Sequence, residues 1–440
     1  MSYLLNLVYL LLLIVLTPWL VFRRLTGGKY PRGLWHKLTG RAVLRTGAAP
    51  CAWFHGVSVG EIHLLRQVVA AFRKRHPGWE CVISTTTETG LAEAKRCFAD
   101  LAVFYWPFDF TWAVKRALRR VRPNLIVLAE GELWPNFLAA ANRRRVPVAV
   151  VNRRMSPRSF RRYRRLGVLS RRLFNRLDLC VAQTDEYAVH FQALGVAAGK
   201  VHVTGSVKYD GACADRDNPR TCALRRLLAV EEGDLVWIAG STQAPEEQIV
   251  LDIYRRARKR HRNLRLFVVP RQKDRFDEVA ELLRRSGLPF VRRSALTESI
   301  HDRRAIVLID SIGELGALWG LADVAFVGGS LDGQRGGQNM IEPAAYGAAV
   351  VFGPHVWNFK DAVERLLAAK AAIQVMDAAA LEAAVNRLFE DIAERQRIGT
   401  AARWLALEQQ GATERTIALL QLLMPRTTDG SDTAPHRLAG

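Results

Sequence analysis

Short apolar runs of strand length alternate with amphipathic helical patterns twice over in this chain, and that alternation leaves few folds open. The first series is Ala52–His55, Cys81–Thr85, Val103–Tyr105, Leu125–Leu128, Val148–Val151, Leu179–Ala182 and Val201–Thr204. Helical patterns lie between most of them, as in Glu61–Arg75, where Ile62, Leu65, Val68, Val69 and Phe72 recur at helical spacing. Strands that alternate with helices pair in parallel, with helices covering both faces of the sheet. The pattern breaks at Ser206–Asp217 and restarts with Leu235–Ala239, Leu264–Val269, Ala305–Ile309, Val324–Val327, Val350–Phe352 and Ile373–Val375. Its helices include Glu247–Arg260, Phe276–Arg285, Glu314–Leu321 and Lys360–Ala369, and a long helical stretch over 378–423 is expected to break near Gly399 and Gly411. The fold class is therefore α/β, with two Rossmann-like doubly wound domains at residues 25–207 and 208–424, and ligands expected at the carboxyl ends of the strands. The polar tail 425–440, with its Gly and Pro, is expected to be disordered.

Residues 1–24 follow another rule. The first 22 residues carry no charged side chain, and Tyr3–Val21 is almost continuously apolar, close to the roughly 20 residues that span a bilayer. Arg23, Arg24 and Lys29 follow. A secretory signal would carry its positive charge before the apolar run, and charge on this flank favours a cytoplasmic body. The expectation is a single N-terminal membrane anchor, with a buried helix or a monotopic hairpin as the alternative that Pro18 and Trp19 leave open.

Lys and Arg exceed Asp and Glu by 64 − 42 = 22, which calls for an acidic partner or surface. Residues 143–176 contain 13 Arg, no Lys and no Asp or Glu. Arg158, Arg161, Arg162, Arg164 and Arg165 form its densest part, and beside a membrane anchor such a block is expected to contact either the anionic membrane surface or a phosphorylated lipid acceptor. No nucleic-acid motif is present, and no nucleic acid is expected. The six cysteines show no C-x-x-C spacing and read as reduced thiols. No G-x-x-x-x-G-K-[ST] loop occurs, and neither a metal nor another cofactor is expected.

Residues able to carry chemistry gather at predicted strand ends. The first strand runs into His55-Gly56-Val57-Ser58-Val59-Gly60-Glu61, where Glu61 can serve as a general base or cap the next helix. The fourth runs into Glu130-Gly131-Glu132-Leu133-Trp134-Pro135-Asn136, an acidic pair able to orient a substrate, although Glu132 can also cap a helix. In the second half, Lys208, Ser241, Thr242, Arg271 and Gly313 lie at the linker or at strand ends, the two cations being suited to phosphate or a sugar carboxylate. Gly328–Asn358 holds a Gly-rich loop with a helix expected to start at Gly336-Gly337-Gln338-Asn339. Glu342 in its first turn is placed for ribose hydroxyls rather than phosphate, and the alternative is a tight strand–helix turn with a capping Glu.

Together the segments HGVSVGE (55–61), GELWPN (131–136), RRMSPRSFRRY (153–163), TGSVKYD (204–210), GSTQAPEE (240–247), VPRQKDRF (269–276), DSIGEL (310–315) and FVGGSL…GGQNMIEPAAYG (326–347) resemble the 3-deoxy-D-manno-octulosonic acid (Kdo) transferases of lipopolysaccharide synthesis. The resemblance spans about residues 30–370. It implies a GT-B fold, two domains facing a cleft, and an inverting, metal-independent transfer from CMP-Kdo to a hydroxyl of a lipid A precursor at the cytoplasmic face of the inner membrane. The first domain would bind the acceptor and the second the nucleotide donor. Glu61 matches the family's base, Glu132 its acidic orienting residue, and Lys208 and Arg271 its basic donor positions. Ser241, Thr242, Gly313, Gly337, Asn339 and Glu342 match nucleotide-side positions, with Glu342 the ribose ligand. The departure at Ala129-Glu130-Gly131-Glu132 from the family's usual E-T-E-L-W-P leaves Glu130 without an assigned role. Gln272 and Gln338 stand where His is common and cannot titrate near neutrality. Two alternatives stay open: another GT-B nucleotide-sugar enzyme, such as a lipid-linked N-acetylglucosaminyltransferase or an epimerase, and an inactive membrane-tethered protein that binds anionic lipid.

Overall fold

A computed structural model of the chain describes residues 2–25 and 33–424, with side chains of the first helix described at residues 2–11, 14 and 15. The chain divides into two units, one running to Val207 and rejoined by the segment from Gly411, the other Lys208–Gln410.

The first unit carries strands β1 (Cys51–His55), β2 (Glu80–Thr85), β3 (Ala102–Tyr105), β4 (Leu125–Ala129), β5 (Val148–Arg153), β6 (Leu179–Ala182) and β7 (Val201–Val203). The second carries β8 (Leu235–Thr242), β9 (Leu264–Pro270), β10 (Phe290–Arg292), β11 (Ile306–Leu308), β12 (Val324–Val327), β13 (Ala349–Phe352) and β14 (Ala372–Gln374). Each sheet has seven strands, in the orders β3-β2-β1-β4-β5-β6-β7 and β10-β11-β9-β8-β12-β13-β14, and every pairing is parallel. Side chains alternate between two apolar layers, one on each face. On β1, Cys51 and Trp53 enter one layer while Ala52 and Phe54 enter the other. On β8, Val236 and Ile238 oppose Leu235, Trp237 and Ala239. Burial on both faces explains why these strands read as continuous apolar runs.

Strand order reverses direction between β1 and β4 in the first sheet and between β8 and β12 in the second. At such a point the two flanking connections depart to opposite faces and leave a crevice beyond the strand ends. The loops after β1 and β4 carry Glu61 and Glu130–Glu132, and those after β8 and β12 carry the GSTQAPEE and GGSL segments.

Several expectations are corrected. Strand β10 is absent from the sequence reading: its three residues are half-buried at the sheet edge and include Arg292. Gly399 breaks no helix. The break falls at Asp391, whose side chain accepts Glu394 N at 2.8 Å, and Ile392–Glu408 runs on through Gly399, where the absence of a Cβ admits the backbone of Gly347. The last helix, Ala412–Gln421, packs Ala412, Ile417 and Leu420 into the core of the first unit rather than extending the second, and Arg415 Nη2 donates to Thr204 O at 2.7 Å.

Residues Ser2–Leu25 form a helix. Asn6 is buried and bonds through Nδ2 to Thr111 Oγ1 at 2.8 Å, and Tyr9 Oη donates to Asp109 Oδ2 at 3.2 Å. Leu4, Leu7, Leu11, Ile14 and Val15 make an exposed apolar stripe. Among the described residues no helix is long and apolar enough to cross a membrane. The expected anchor over 3–21 falls partly, and the expected tail 425–440 wholly, outside the described residues.

Candidate active site

In the first unit the loop after β1 is held from the neighbouring strand end. Thr85 Oγ1 and Thr87 Oγ1 both donate to Val57 O, at 3.1 and 3.0 Å. The helix Val59–Arg75 then begins, with Glu61 in its first turn. Glu61 Oε2 accepts Val57 N at 2.5 Å, so one carboxylate oxygen performs the capping role. The other oxygen takes no protein hydrogen bond among the described residues. Burial pushes this carboxyl up to about 7, with Glu130 and Glu132 pushing the same way and the Val57 N–H and the Arg153 guanidinium opposing. A carboxyl with one unengaged oxygen and a proton affinity near neutrality meets the requirement for a general base. His55 of the same motif is fully buried, bonds through Nδ1 to Ser84 Oγ at 3.0 Å, and stacks on Trp106 at 3.9 Å. Burial lowers its imidazole to about 3, so it stays neutral and structural.

Beyond β4 the backbone turns through the left-handed region at Glu130 (φ 49°) and Gly131 (φ 53°), while Asn152 on β5 does so at φ 54°. Such conformations at Glu and Asn cost on the order of 1 kcal/mol each and persist where surrounding bonds fix them. Here Asn152 Nδ2 donates to Glu130 Oε1 at 3.0 Å, Arg154 Nη2 to Glu130 Oε2 at 3.1 Å, and the Arg153 guanidinium to the carbonyls of Glu130 and Gly131. Glu130, unassigned from sequence, is thus engaged through both oxygens in fixing the turn. Glu132 accepts Trp134 Nε1 at 3.1 Å. Asp109 accepts the amides of Asn136 and Phe137 at 3.0 and 2.8 Å, fixing the helix that follows Trp134.

Two site residues escaped the sequence reading. Arg153 is buried and acts electrostatically on both Glu61 and Glu130, yet by sequence it is one Arg among 13. Lys37, from the short helix Leu34–Thr39, donates to Thr86 O at 2.6 Å and is half-buried; burial lowers its ammonium pKa, with Glu132 opposing. An isolated Lys before the first strand gives no sequence signal. The Arg block also proves heterogeneous. Arg153 is interior, Arg154 pairs with Glu130, and Arg176 donates to Pro135 O at 3.2 Å. Arg158, Arg161, Arg162, Arg164 and Arg165 are exposed on the helix Pro157–Arg165, followed by exposed Leu166, Val168 and Leu169.

In the second unit, β8 ends at Ser241 (φ 56°) and fully buried Thr242, whose carbonyl accepts Arg271 N at 3.0 Å. Asn339 Nδ2 donates to Glu342 Oε1 at 2.9 Å. Burial raises the Glu342 carboxyl above its ordinary value, with the Asn339 bond and the Arg271 charge opposing. Arg271, Asn339 and Glu342 are therefore brought together. Gly316 in the helix after Gly313 also lies against Glu342: a Cβ there would stand 3.9 Å from Glu342 Oε2. Gly313 itself has φ 92°. Lys208 lies in the turn Val207–Tyr209, its Nζ 5.7 Å from the centre of the Phe359 ring. The helix expected at 336–339 starts instead at Ile341 and ends at Ala345. Gly336 and Gly337 have φ of 76° and 74°, which no right-handed helix accommodates, and the Gly337 amide is taken by Gly329 O at 2.7 Å.

Two parallel α/β units, each with a switch point in its strand order, make a GT-B-like fold. The UDP-GlcNAc 2-epimerase of Neisseria meningitidis, solved bound to UDP-GlcNAc, shares the fold with a TM-score of 0.56 at 11% identity, over 84% of this chain and 100% of the other. Residues 33–211 match the family model described as 3-deoxy-D-manno-octulosonic-acid transferase (kdotransferase). A 3-deoxy-D-manno-octulosonic acid transferase of Bordetella pertussis is 37% identical over 395 residues, covering 87% of this chain and 90% of the relative. One from Haemophilus influenzae is 33% identical over 376 residues, covering 85% and 87%. The chain belongs to the Kdo transferase family. It is a CMP-Kdo-dependent glycosyltransferase of lipopolysaccharide biosynthesis.

A folded-state carboxyl pKa raised by burial means that ionising the group costs stability, a cost absent at low pH and present once pH passes the folded value. Glu61→Gln is therefore expected to raise the melting temperature above about pH 7, the gain shrinking as pH falls toward about 5. Thermal unfolding of both proteins across that range checks it. A lower melting temperature for the variant at high pH contradicts the burial of an ionised Glu61.

Proposed function

We propose that Glu61 is the general base of an inverting transfer whose acceptor is a lipid A precursor at the cytoplasmic face of the inner membrane. The observation that carries this reading is the half-buried Glu61 carboxyl at the switch point of the first sheet, poised at about 7. The acceptor hydroxyl oxygen attacks the anomeric carbon of Kdo and gives its proton to the unengaged oxygen of Glu61. The bond from that carbon to the CMP phosphate breaks, and CMP leaves with the electron pair. Attack opposite the leaving group inverts the anomeric centre.

On the donor side, Arg271 and Lys208 neutralise the charge gathering on the departing phosphate, a role that needs no metal. Glu342, oriented by Asn339, accepts the ribose hydroxyls, since a carboxylate beside phosphate would repel it. The Ser241 and Thr242 hydroxyls complete the polar contacts, and Gly313 and Gly337 permit close backbone approach. On the acceptor side, Glu132 orients the hydroxyl-bearing sugar, and Lys37 next to it suits an acceptor phosphate.

The membrane part of the reading rests on two exposed surfaces of the first unit. The apolar stripe of the N-terminal helix enters the bilayer, and Arg158, Arg161, Arg162, Arg164 and Arg165 meet anionic headgroups beside Leu166, Val168 and Leu169.

Glu61→Ala is expected to abolish Kdo transfer while leaving CMP affinity within about twofold, because the base contacts the acceptor rather than the nucleotide. Transfer read by mass spectrometry and CMP binding read by calorimetry test this, and near-normal turnover refutes the assignment. Replacing Arg158, Arg161 and Arg162 together by Gln is expected to weaken binding to anionic vesicles about a hundredfold, at roughly 1 kcal/mol per charge, with CMP affinity unchanged. Unaltered vesicle binding rules out the Arg surface as the membrane contact.

A further inference from the structure

The Gly-rich turn after β12 has the form of a phosphate cradle, yet it is already filled. Glu246 opens the helix Glu246–Ala257 and is fully buried. Its Oε2 accepts Gly329 N at 2.7 Å and Gln243 N at 3.0 Å, and its Oε1 accepts Ser330 N at 3.0 Å and Leu331 N at 3.1 Å. Three successive backbone N–H groups aimed at one point form an anion-binding nest. Here the anion belongs to the chain itself. The approach is close enough that a Cβ on Gly328 would stand 2.6 Å from Glu246 Oε2 and 2.8 Å from Ser241 O.

The carboxylate also ties the ends of two neighbouring strands together, since Gln243 follows β8 and Gly329–Leu331 follow β12. From there the connection continues. Gly329 O holds Gly337 N at 2.7 Å, two residues before Asn339, which in turn bonds Glu342. Ser330 is fixed independently, donating to Val327 O at 2.7 Å and accepting Gly353 N at 2.9 Å. Burial, the larger effect, raises the Glu246 carboxyl above its ordinary value, and the four backbone donors oppose it. A neutral acid would place a hydroxyl hydrogen against a row of N–H donors, so the ionised form matches the site.

We propose that Glu246 is a positioning residue for the donor: its carboxylate occupies the nest after β12, keeps the donor phosphate out of that turn, and fixes the segment that presents Asn339 and Glu342. The donor phosphate is then left to Arg271 and Lys208. This rests on the CMP-Kdo reading of the second unit.

The test measures CMP affinity by calorimetry, and KM and kcat for CMP-Kdo, in the full-length protein and in its Glu246→Ala and Glu246→Gln variants. Wild type is expected to bind CMP, and its failure to do so sinks the donor assignments rather than the role of Glu246. Loss of charge-assisted bonds is expected to weaken CMP binding about tenfold or more in both variants, raising KM more than kcat falls. Formate, a carboxylate small enough for the vacated nest, is expected to recover part of the affinity of Glu246→Ala, while sodium chloride at equal ionic strength does not. Glu246→Gln, nearly the same shape, supplies the affinity comparison should the Ala variant fail to fold. CMP affinity within twofold of wild type in Glu246→Gln, or no recovery with formate in a folded Glu246→Ala, overturns the proposal.

Discussion

Every strand in both sheets runs in one direction, and the rest of the molecule depends on that constraint. Parallel pairing needs a crossover for each strand, which covers both faces with helices and leaves the carboxyl-end loops as the place where polar groups collect. The apolar layers on each face exclude water from the sheets but not from the switch points. Glu61 and Glu130–Glu132 emerge at one switch point, and the loops bearing Ser241, Thr242 and Glu246 emerge with Gly328–Leu331 at the other.

Those positions let the fold set the chemistry of its carboxylates separately. Glu130 and Glu246 are saturated by donors and shape backbone: one holds the turn after β4, the other the turn after β12. Glu61 has a single backbone donor, two acidic neighbours and a half-buried site, so its proton affinity rises toward neutrality. Arg153 supplies the counterweight from inside the domain. The same residue type thus either holds backbone or keeps an oxygen unengaged, according to how many N–H groups reach it.

Much of the fold was legible because a doubly covered parallel strand must be apolar throughout, and such runs mark every strand except β10. That strand sits half-buried at an edge, where the requirement lapses. Helix ends were less legible. Gly399 and Gly336–Gly337 look alike as sequence, but one admits a neighbouring backbone inside a helix and the others wind through positive φ. The C-terminal helix could not be placed in the first unit, because its apolar face carries no sign of which core it enters. At the site, Glu61 and Glu342 stood out because each opens a helix after a Gly-containing turn. Arg153 and Lys37 did not, since only the fold distinguishes a buried Arg from its exposed neighbours or brings a distant Lys beside Glu132. Nothing in the sequence marks the turn at Gly329–Leu331 as filled, because the anion that fills it, Glu246, lies some eighty residues earlier.

The central claim, that the fold tunes Glu61 to act as base, is tested most directly by the pH dependence of kcat/KM for Kdo transfer. In the free enzyme this profile reports the ionisation of the essential base. The account predicts a rise of about tenfold per pH unit below about 7 and a plateau above, absent from the residual activity of Glu61→Gln. A wild-type profile that stays flat between about pH 5.5 and 8, or an inflection that persists unchanged in the variant, would contradict it.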